Sequence, residues 1–226
     1  MTGGALQVLG FGGGGLPERS LSFSGSQYLE MSGADFGSTP FNESSFGLST
    51  WVKRTSLTGQ LIQATNSNPA DTLYFRVVNT VDGPCIEFYG NSGLSQVFDR
   101  ISASTISTSW AHVYATFSSG VPRIYINGSE VSYSTSAYTG AAPGAFTGSV
   151  LIGNGLTGLL YQPTFFSGTL PDVSSLYASG KPKDVSGLAG LYSTLDCAGG
   201  VVTHDARLSA AWTNVGVVTT STDTPR

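Results

Sequence analysis

Apolar and polar positions alternate with a period of two along most of this chain. Leu73, Phe75 and Val77, for example, alternate with Tyr74 and Arg76. The same alternation marks further short segments, at residues 21–23, 46–52, 86–89, 111–117, 123–126 and 150–152. Patterns of this period in runs this short are typical of strands that bury one face. The sequence therefore predicts an all-β protein, folded as an antiparallel two-sheet jelly-roll sandwich.

Glycine and proline punctuate these segments. The chain contains 30 Gly and 10 Pro, which is too many for long helices. The Asn127-Gly128 pair predicts a two-residue type I′ hairpin turn, because both positions of that turn need a positive φ. One short helix is predicted near 171–178, since Pro171 suits a first helical turn and Gly180 follows as a stop.

The low charge of the chain narrows the class of partner. Only 11% of residues are charged, against a typical figure of about 25%, and residues 131–171 carry no charge at all. The formal net charge of −4 argues against nucleic acid, which selects clustered Lys and Arg. No apolar run is long enough to predict a membrane span. A surface of Ser, Thr, Gly, Asn and Tyr suits protein contacts or sugars.

The first 19 residues predict a separate N-terminal arm. Residues 1–17 contain seven glycines and lack the positive start of a signal peptide. We expect the arm to dock onto a neighbouring subunit or another protein, which makes a homo-oligomer the expected state. Residues 20–226 are predicted to form one jelly-roll domain that includes the C-terminal segment.

Several segments, in order, resemble the laminin-G-like jelly rolls of the concanavalin A-like lectin/glucanase superfamily. They are residues 20–29 (SLSFSGSQYL), 46–53 (FGLSTWVK), 110–117 (WAHVYATF), 123–128 (RIYING), 150–153 (VLIG) and 176–182 (LYASGKP). Residues 191–196, 203–205 and 212–216 resemble the ending common in laminin-G-like proteins of virus particles, tailed phages especially. The resemblance covers roughly residues 20–225 and implies the jelly-roll fold.

What the resemblance implies about function leaves alternatives open. The first is a non-catalytic structural component of a virion, a phage capsid, decoration or tail protein, made without a signal peptide and able to bind host glycans. The second is a carbohydrate-binding or adhesion module on an extracellular surface. The third, a glycoside hydrolase, is the remote one.

Four side chains are the candidates for ligand binding. Tyr74, Arg76, Tyr89 and Tyr125 lie opposite the predicted core positions of their strands. Aromatic rings stack on sugar faces, and a neighbouring Arg fixes the orientation of the sugar. An ordinary half-buried β surface, which favours Tyr for packing alone, is the competing interpretation.

Catalytic chemistry is not predicted. Glucanases of this fold carry an E-x-D-x-E array for retaining hydrolysis, and this sequence has none. The nearest carboxylates, Glu87 and Asp99, are expected to stand alone. His112 is predicted to be an outward strand residue, and His204 a loop residue with no positioned nucleophile.

No cofactor is predicted, and calcium is the alternative that the family leaves open. Where relatives carry an acidic pair, this chain has Tyr161 and Gln162, which puts a family calcium site in doubt. A second candidate metal site at the rim of the sandwich would combine Asp71, Asp82, Asp99 and Asn154. The alternative is turn formation, for which Asp82-Gly83 and Asn154-Gly155 are typical dipeptides. The two cysteines, Cys85 and Cys197, match no metal spacing, and free thiols are favoured over a bridge.

Overall fold

The structure is a computed structural model of the chain. It describes residues 16–17, 19–37, 41, 44–66, 71–144, 146–197, 200–201, 203, 205, 207–208 and 210–225. The predicted arm, residues 1–19, lies almost wholly outside the described residues, and so does His204.

The described elements are almost all strands. In chain order the strands are β1 (Ser20–Ser24), β2 (Tyr28–Ser32), β3 (Ser45–Arg54), β4 (Gly59–Thr65), β5 (Thr72–Thr80), β6 (Gly83–Ser92), β7 (Ser95–Thr105), β8 (Ala111–Ser118), β9 (Val121–Ile126), β10 (Ser129–Glu130), β11 (Tyr133–Tyr138), β12 (Ser149–Ile152), β13 (Thr157–Ser167), β14 (Tyr177–Ala178), β15 (Lys181–Pro182), β16 (Leu191–Thr194), β17 (Thr213–Val215) and β18 (Thr219–Ser221). A four-residue helix, α1 (Gly33–Phe36), follows β2, and a 3-10 turn spans Val173–Ser175.

Two antiparallel sheets form the sandwich, as the alternation predicts. Sheet A has the order β10-β9-β8-β3-β13-β1-β18, with β16 also paired to β13. Sheet B has the order β11-β7-β6-β5-β4-β12-β2-β17. The predicted all-β jelly-roll class is therefore confirmed.

The apolar positions of both sheets meet in one core. Phe46 on β3 and Phe88 on β6 pack edge to face across the two sheets, with ring centroids 6.1 Å apart. Phe117 on β8 stacks on Phe98 of β7 at 5.3 Å. Such aromatic pairs bury large areas and favour these tilted or offset arrangements, so they hold the sheets face to face.

The predicted hairpin turn is confirmed. Asn127 and Gly128 have φ values of 49° and 83°, and they connect β9 to β10 with Ile126 opposite Ser129. These are the two positive φ values of a type I′ turn.

The predicted short helix is present as a single 3-10 turn, Val173–Ser175. The chain then enters the β14–β15 hairpin, in which Tyr177 lies opposite Pro182. Leu176 is buried under sheet A, and the Tyr177 ring stacks on Trp51 at 5.7 Å. These tertiary contacts draw both side chains onto the sheet and end the helical turn before a second can form.

The C-terminal segment completes both sheets. β17 pairs with β2, and β18 pairs with β1. Asp205 holds residues that precede β17: one carboxylate oxygen accepts from the backbone N–H groups of Arg207 and Leu208, and the other accepts from Trp212 Nε1 at 3.1 Å. None of the helices in the described part of the chain has the length and apolar character of a membrane-spanning segment.

Candidate functional site

A two-residue loop fixes which side chains meet on the outer face of sheet B. Val81 and Asp82 connect β5 to β6, so that Thr80 lies opposite Gly83. The resulting register places Tyr74 opposite Tyr89 and Arg76 opposite Glu87. All four point away from the core, because Leu73, Phe75, Ile86 and Phe88 occupy the alternating buried positions.

The outward positions of β4 to β7 form two rows across the sheet. We call this surface the tyrosine face, and its members are Gln60, Gln63, Tyr74, Arg76, Glu87, Tyr89 and Asp99. Three of the four candidate residues from the sequence lie here: Tyr74, Arg76 and Tyr89. The Tyr74 and Tyr89 rings are 5.9 Å apart and tilted by 32°, and both side chains remain partly exposed.

The single cation of this face is already engaged. Arg76 Nε forms an ion pair with Glu87 Oε2, and the guanidinium lies 4.7 Å from the centroid of the Tyr74 ring. The Glu87 side chain is only 8% exposed. Burial of a carboxylate is costly unless an ion-pair partner compensates for the lost hydration, and Arg76 is that partner.

The negative charge of Asp99, in contrast to that of Glu87, has little compensation. Burial, together with the neighbouring charge of Glu87, raises its pKa to about 6, and Arg76 only partly opposes the shift. Its Oδ1 atom is buried and has no hydrogen-bond partner among the described residues. The expectation that Glu87 and Asp99 stand alone is wrong. They lie on adjacent strands of one face, because Asp99 is opposite Tyr89, two residues from Glu87.

A cleft of about 420 Å³ adjoins the tyrosine face at its rim. Gln60 and Arg76 line one side, and the 154–155 turn lines the other. Gln60 Oε1 is a second buried acceptor without a partner in the described part of the structure. The face and the cleft therefore combine aromatic rings, one engaged cation and two unpartnered acceptors.

The fourth candidate residue, Tyr125, lies on the other sheet. It belongs to β9 and stacks on Tyr114 of β8 at 5.7 Å. It lines a separate cleft of about 450 Å³ with Arg123 and Asp172. The structure thus divides the four candidates between two surfaces.

The outer face of sheet A is covered by residues 170–190. Tyr114, Phe166, Leu176, Val185 and Leu191 form a second buried cluster there. Its aromatic side chains are enclosed by the protein itself, so most of this face offers no open aromatic platform.

His112 lies under the same cover. It is 1% exposed, and its ring packs on Trp51 at 5.3 Å and on Tyr177 at 5.8 Å. Its Nε2 atom is 3.0 Å from Ser49 Oγ, and burial lowers its pKa to about 3. The sequence correctly predicts that His112 points away from the main core. The side chain is nevertheless buried, because residues 170–190 cover this face.

The four proposed metal ligands do not converge. Asp71 accepts hydrogen bonds from Asn66 Nδ2 and the Gly93 backbone, which lowers its pKa, and so it fixes two loops. Asp82 sits in the exposed β5–β6 turn, and Asn154 Nδ2 donates to Gln63. Within the described ranges, no group of three or more His, Cys, Asp or Glu side chains is placed to hold a metal ion.

The remaining positions have structural roles. Tyr161 donates a hydrogen bond to the Pro17 carbonyl, and Gln162 has a φ of 53° where the pairing of β13 shifts register. Cys85 and Cys197 are both buried and unbonded to each other.

Sequence reasoning missed Gln60, Gln63 and Asp99 as members of the site. The sequence holds a register signal only for residues already named: a loop at Val81-Asp82, instead of the Asp82-Gly83 dipeptide, pairs Tyr74 with Tyr89. Register shifts interrupt the pairing of β4 with β5 and of β6 with β7. No comparable sequence signal therefore relates Gln60, Gln63 or Asp99 to the two tyrosines.

Comparison with known proteins bears on the fold. The sequence profile of the Laminin_G_3 family, the concanavalin A-like lectin/glucanases superfamily, matches residues 23–185. No curated protein matches the sequence. The native heptameric SAP-like pentraxin from Limulus polyphemus is 16% identical with a TM-score of 0.59, over 90% of this chain and 94% of the pentraxin.

A second solved structure is similar over a shorter span. Domain 4 of AbnA, a GH43 extracellular arabinanase from Geobacillus stearothermophilus, in complex with arabinotriose, is 20% identical with a TM-score of 0.53. The similarity covers 70% of this chain and 76% of that domain. At these identities the two similarities concern the fold alone.

Proposed function

Because this chain belongs to the Laminin_G_3 family of the concanavalin A-like lectin/glucanase superfamily, we propose that it is a non-catalytic module that binds carbohydrate on the tyrosine face. The observation that carries the proposal is the pairing of two partly exposed tyrosine rings with buried, unpartnered acceptors. A sugar presents an apolar C–H face for stacking and hydroxyl donors at its edge, so it satisfies both features at once.

The unpartnered acceptors give the more specific support for carbohydrate binding. A buried polar atom without a hydrogen bond costs about 1–3 kcal/mol, and proteins rarely keep such atoms. Asp99 Oδ1 and Gln60 Oε1 flank the row of Tyr74 and Tyr89 on different sides. Both side chains are partly exposed, so a turn of either one would bring its unpartnered oxygen to a ligand that spans the rings.

The non-catalytic part of the proposal rests on Glu87. Retaining hydrolysis needs a carboxylate that is free to attack the sugar, together with a protonated partner. Glu87 is held by Arg76 and almost fully buried, so its oxygens face a guanidinium and not the ligand. Domain 4 of the arabinanase, which shares this fold, was solved with arabinotriose, so the fold can accommodate an oligosaccharide.

A glycan array tests the proposal. We expect the wild-type protein to bind a defined subset of neutral or amino oligosaccharides, and Tyr89→Ala to lose at least about tenfold in affinity, as removal of a stacking ring does. Tyr89→Phe should retain binding, because it keeps the ring.

Tyr138→Ala is the matched control. Tyr138 is 48% exposed, and it lies on the opposite side of sheet B, where it packs on Arg100. Equal binding by wild type and Tyr89→Ala would refute the site. Release of shortened sugars during the assay would refute the non-catalytic assignment.

A structural role in a virion is the second candidate function. Strand β11 favours it: this edge strand of sheet B carries no charge or proline, and most of its residues are exposed. Uncharged edge strands are ready templates for pairing with another chain. The resemblance of the C-terminal segment to laminin-G-like virion proteins supports the same role, and glycan binding is compatible with it.

Binding to particles that lack the protein tests this second candidate. We expect full-length protein to bind such particles in a pull-down, and protein without residues 1–17 to bind weakly or not at all. Glycan binding should be equal in the two proteins, since the tyrosine face is intact in both. Failure of the full-length protein to bind any particle would contradict the virion role.

A further inference from the structure

We infer that the tyrosine face prefers oligosaccharides with free amino groups over neutral ones and rejects acidic ones, an inference that rests on the proposed carbohydrate-binding function. It follows from the charges on the face, from the position of Asp99 beside Tyr89, and from the partly exposed Asp99 carboxylate, whose buried Oδ1 atom has no partner among the described residues.

The charges of the face do not balance. It carries two carboxylates, Glu87 and Asp99, against one guanidinium, Arg76. The Arg76–Glu87 ion pair joins one carboxylate to the only cation of this set. The ionised face therefore has an excess negative charge, which lies on Asp99.

The position of that charge relates it to a stacked sugar. Asp99 lies directly opposite Tyr89 across β6 and β7. Side chains in such pairs have Cβ atoms about 4.5–5.5 Å apart. A sugar ring stacked on Tyr89 consequently has the substituents of one edge over the Asp99 carboxylate.

An ammonium group is the substituent that this carboxylate binds best. The Asp99 side chain is partly exposed, so an ammonium can supply it with a donor and the missing charge together, while its buried Oδ1 atom has no donor among the described residues. Charge-assisted hydrogen bonds are about twice as strong as neutral ones. The adjacent Tyr89 ring adds a favourable cation–π contact. A carboxylated sugar at the same place would add a further negative charge and be repelled.

The ionisation of Asp99 provides a second means of testing the inference. The groups that face it are Glu87 and Tyr89 from β6 and Arg76 from β5, while the neighbours on β11, Thr135 and Ala137, do not titrate. Since burial and Glu87 raise the Asp99 pKa to about 6, the carboxylate is mostly charged at pH 7 and mostly protonated at pH 5. The preference for amines should therefore decline on acidification, even though a sugar amine only gains protons as the pH falls.

The experiment compares three ligands of equal length with β-1,4 linkages, namely oligomers of glucosamine, N-acetylglucosamine and glucose. They differ only at carbon 2, which carries an ammonium, an acetamide or a hydroxyl group. By calorimetry at pH 7 we expect the glucosamine oligomer to bind about tenfold more tightly than the glucose oligomer, the ratio of one added charge-assisted hydrogen bond. An oligogalacturonide should not bind.

Two variants and the pH change identify the cause. Asp99→Asn, which keeps the shape of the side chain, should abolish the preference, and pH 5 should reduce it for the wild-type protein. Asp82→Asn removes the same charge from an exposed turn and should leave the preference unchanged.

The outcomes separate the two claims. If all three neutral and amino oligomers bind equally and depend on Tyr89, the amine preference is overturned while carbohydrate binding at this face stands. A preference that survives Asp99→Asn also overturns it, because it would come from overall charge. If no oligomer binds at either pH, the amine preference is again overturned, and the glycan array with Tyr89→Ala decides the fate of the proposed function separately.

Discussion

The outer faces of the two sheets share one sequence pattern, but the aromatic rings are buried on one face and partly exposed on the other. On both, aromatic residues alternate with core positions: Trp51 and Tyr114 on sheet A, Tyr74 and Tyr89 on sheet B. On sheet A the chain returns over the face and buries the rings in a second cluster. On sheet B the tyrosines stay partly exposed beside charged side chains. Alternation thus sets the direction of a side chain, but a distant segment decides whether that side chain becomes core or surface.

Truncating one aromatic ring on each face should give the largest contrast. Phe166 is fully buried in the sheet A cluster, where its ring lies 6.2 Å from Tyr114. Phe166→Ala should lower the free energy of unfolding by about 3–5 kcal/mol, through lost burial and a cavity. Tyr74→Ala, on the open face, should cost about 1 kcal/mol or less. Urea denaturation measures both, and equal losses would mean that the two faces are packed alike.

The pH dependence of stability should differ in sign between the faces. The pKa of His112 falls from 6.5 to about 3, so below pH 6.5 the unfolded chain takes up a proton that the folded protein refuses. Its contribution therefore decreases as the pH falls from 6.5 towards 3, by at most about 1.4 kcal/mol per pH unit. Asp99 acts the other way: with its pKa raised from 3.8 to about 6, its contribution grows as the pH falls through that window.

Denaturation curves between pH 7 and pH 4 check these signs. His112→Gln should flatten the loss of stability on acidification, whereas Asp99→Asn should steepen it. Parallel curves for wild type and His112→Gln would show that the cover over sheet A admits a proton. The Asp99 effect should be the smaller of the two, because its side chain is partly exposed and screened by water.

The smallest expected difference concerns how tightly Tyr177, in the segment that covers sheet A, packs against the rest of the protein. Gly128 has a φ of 83°, and a Cβ there would lie 2.5 Å from Tyr177 Cδ1. Gly180 has a similar φ of 86° with nothing within 4 Å. Gly180→Ala should cost about 1 kcal/mol through its backbone alone, and Gly128→Ala about 1–3 kcal/mol more, because Tyr177 must move. Equal losses in thermal denaturation would place Tyr177 in a loose contact.

Local chemistry explains how much of the fold could be predicted. The sandwich follows from alternation, and the Asn127-Gly128 turn follows from its backbone requirement. Long-range packing explains what could not be predicted. Nothing near His112 in sequence shows that Tyr177 will cover it. A single domain over residues 20–226 remains a prediction, as does the partner of the arm.

The candidate site, like the fold, could be predicted from the sequence only where local features relate its residues. Tyr74, Arg76 and Tyr89 could be named because a hairpin relates them locally. Asp99 joins them only through the pairing of β6 with β7, where register shifts at both ends prevent counting from the turn. Tyr125 has the same local pattern as the others, and only the assignment of β9 to sheet A separates it from them.

The pairing of β18 with β1 has a consequence for the order in which the protein folds. Ser20 Oγ donates to the Asp223 carbonyl at 2.7 Å across 203 residues of sequence, and β17 closes on β2 in the same way. Contacts of such long sequence separation form slowly, because loop closure must precede them. Local hairpins such as β5–β6 can form early, and joining the two ends should come late. Until then the edges of β1 and β2 stay unpaired, so refolding at high concentration should favour aggregation over the native sandwich.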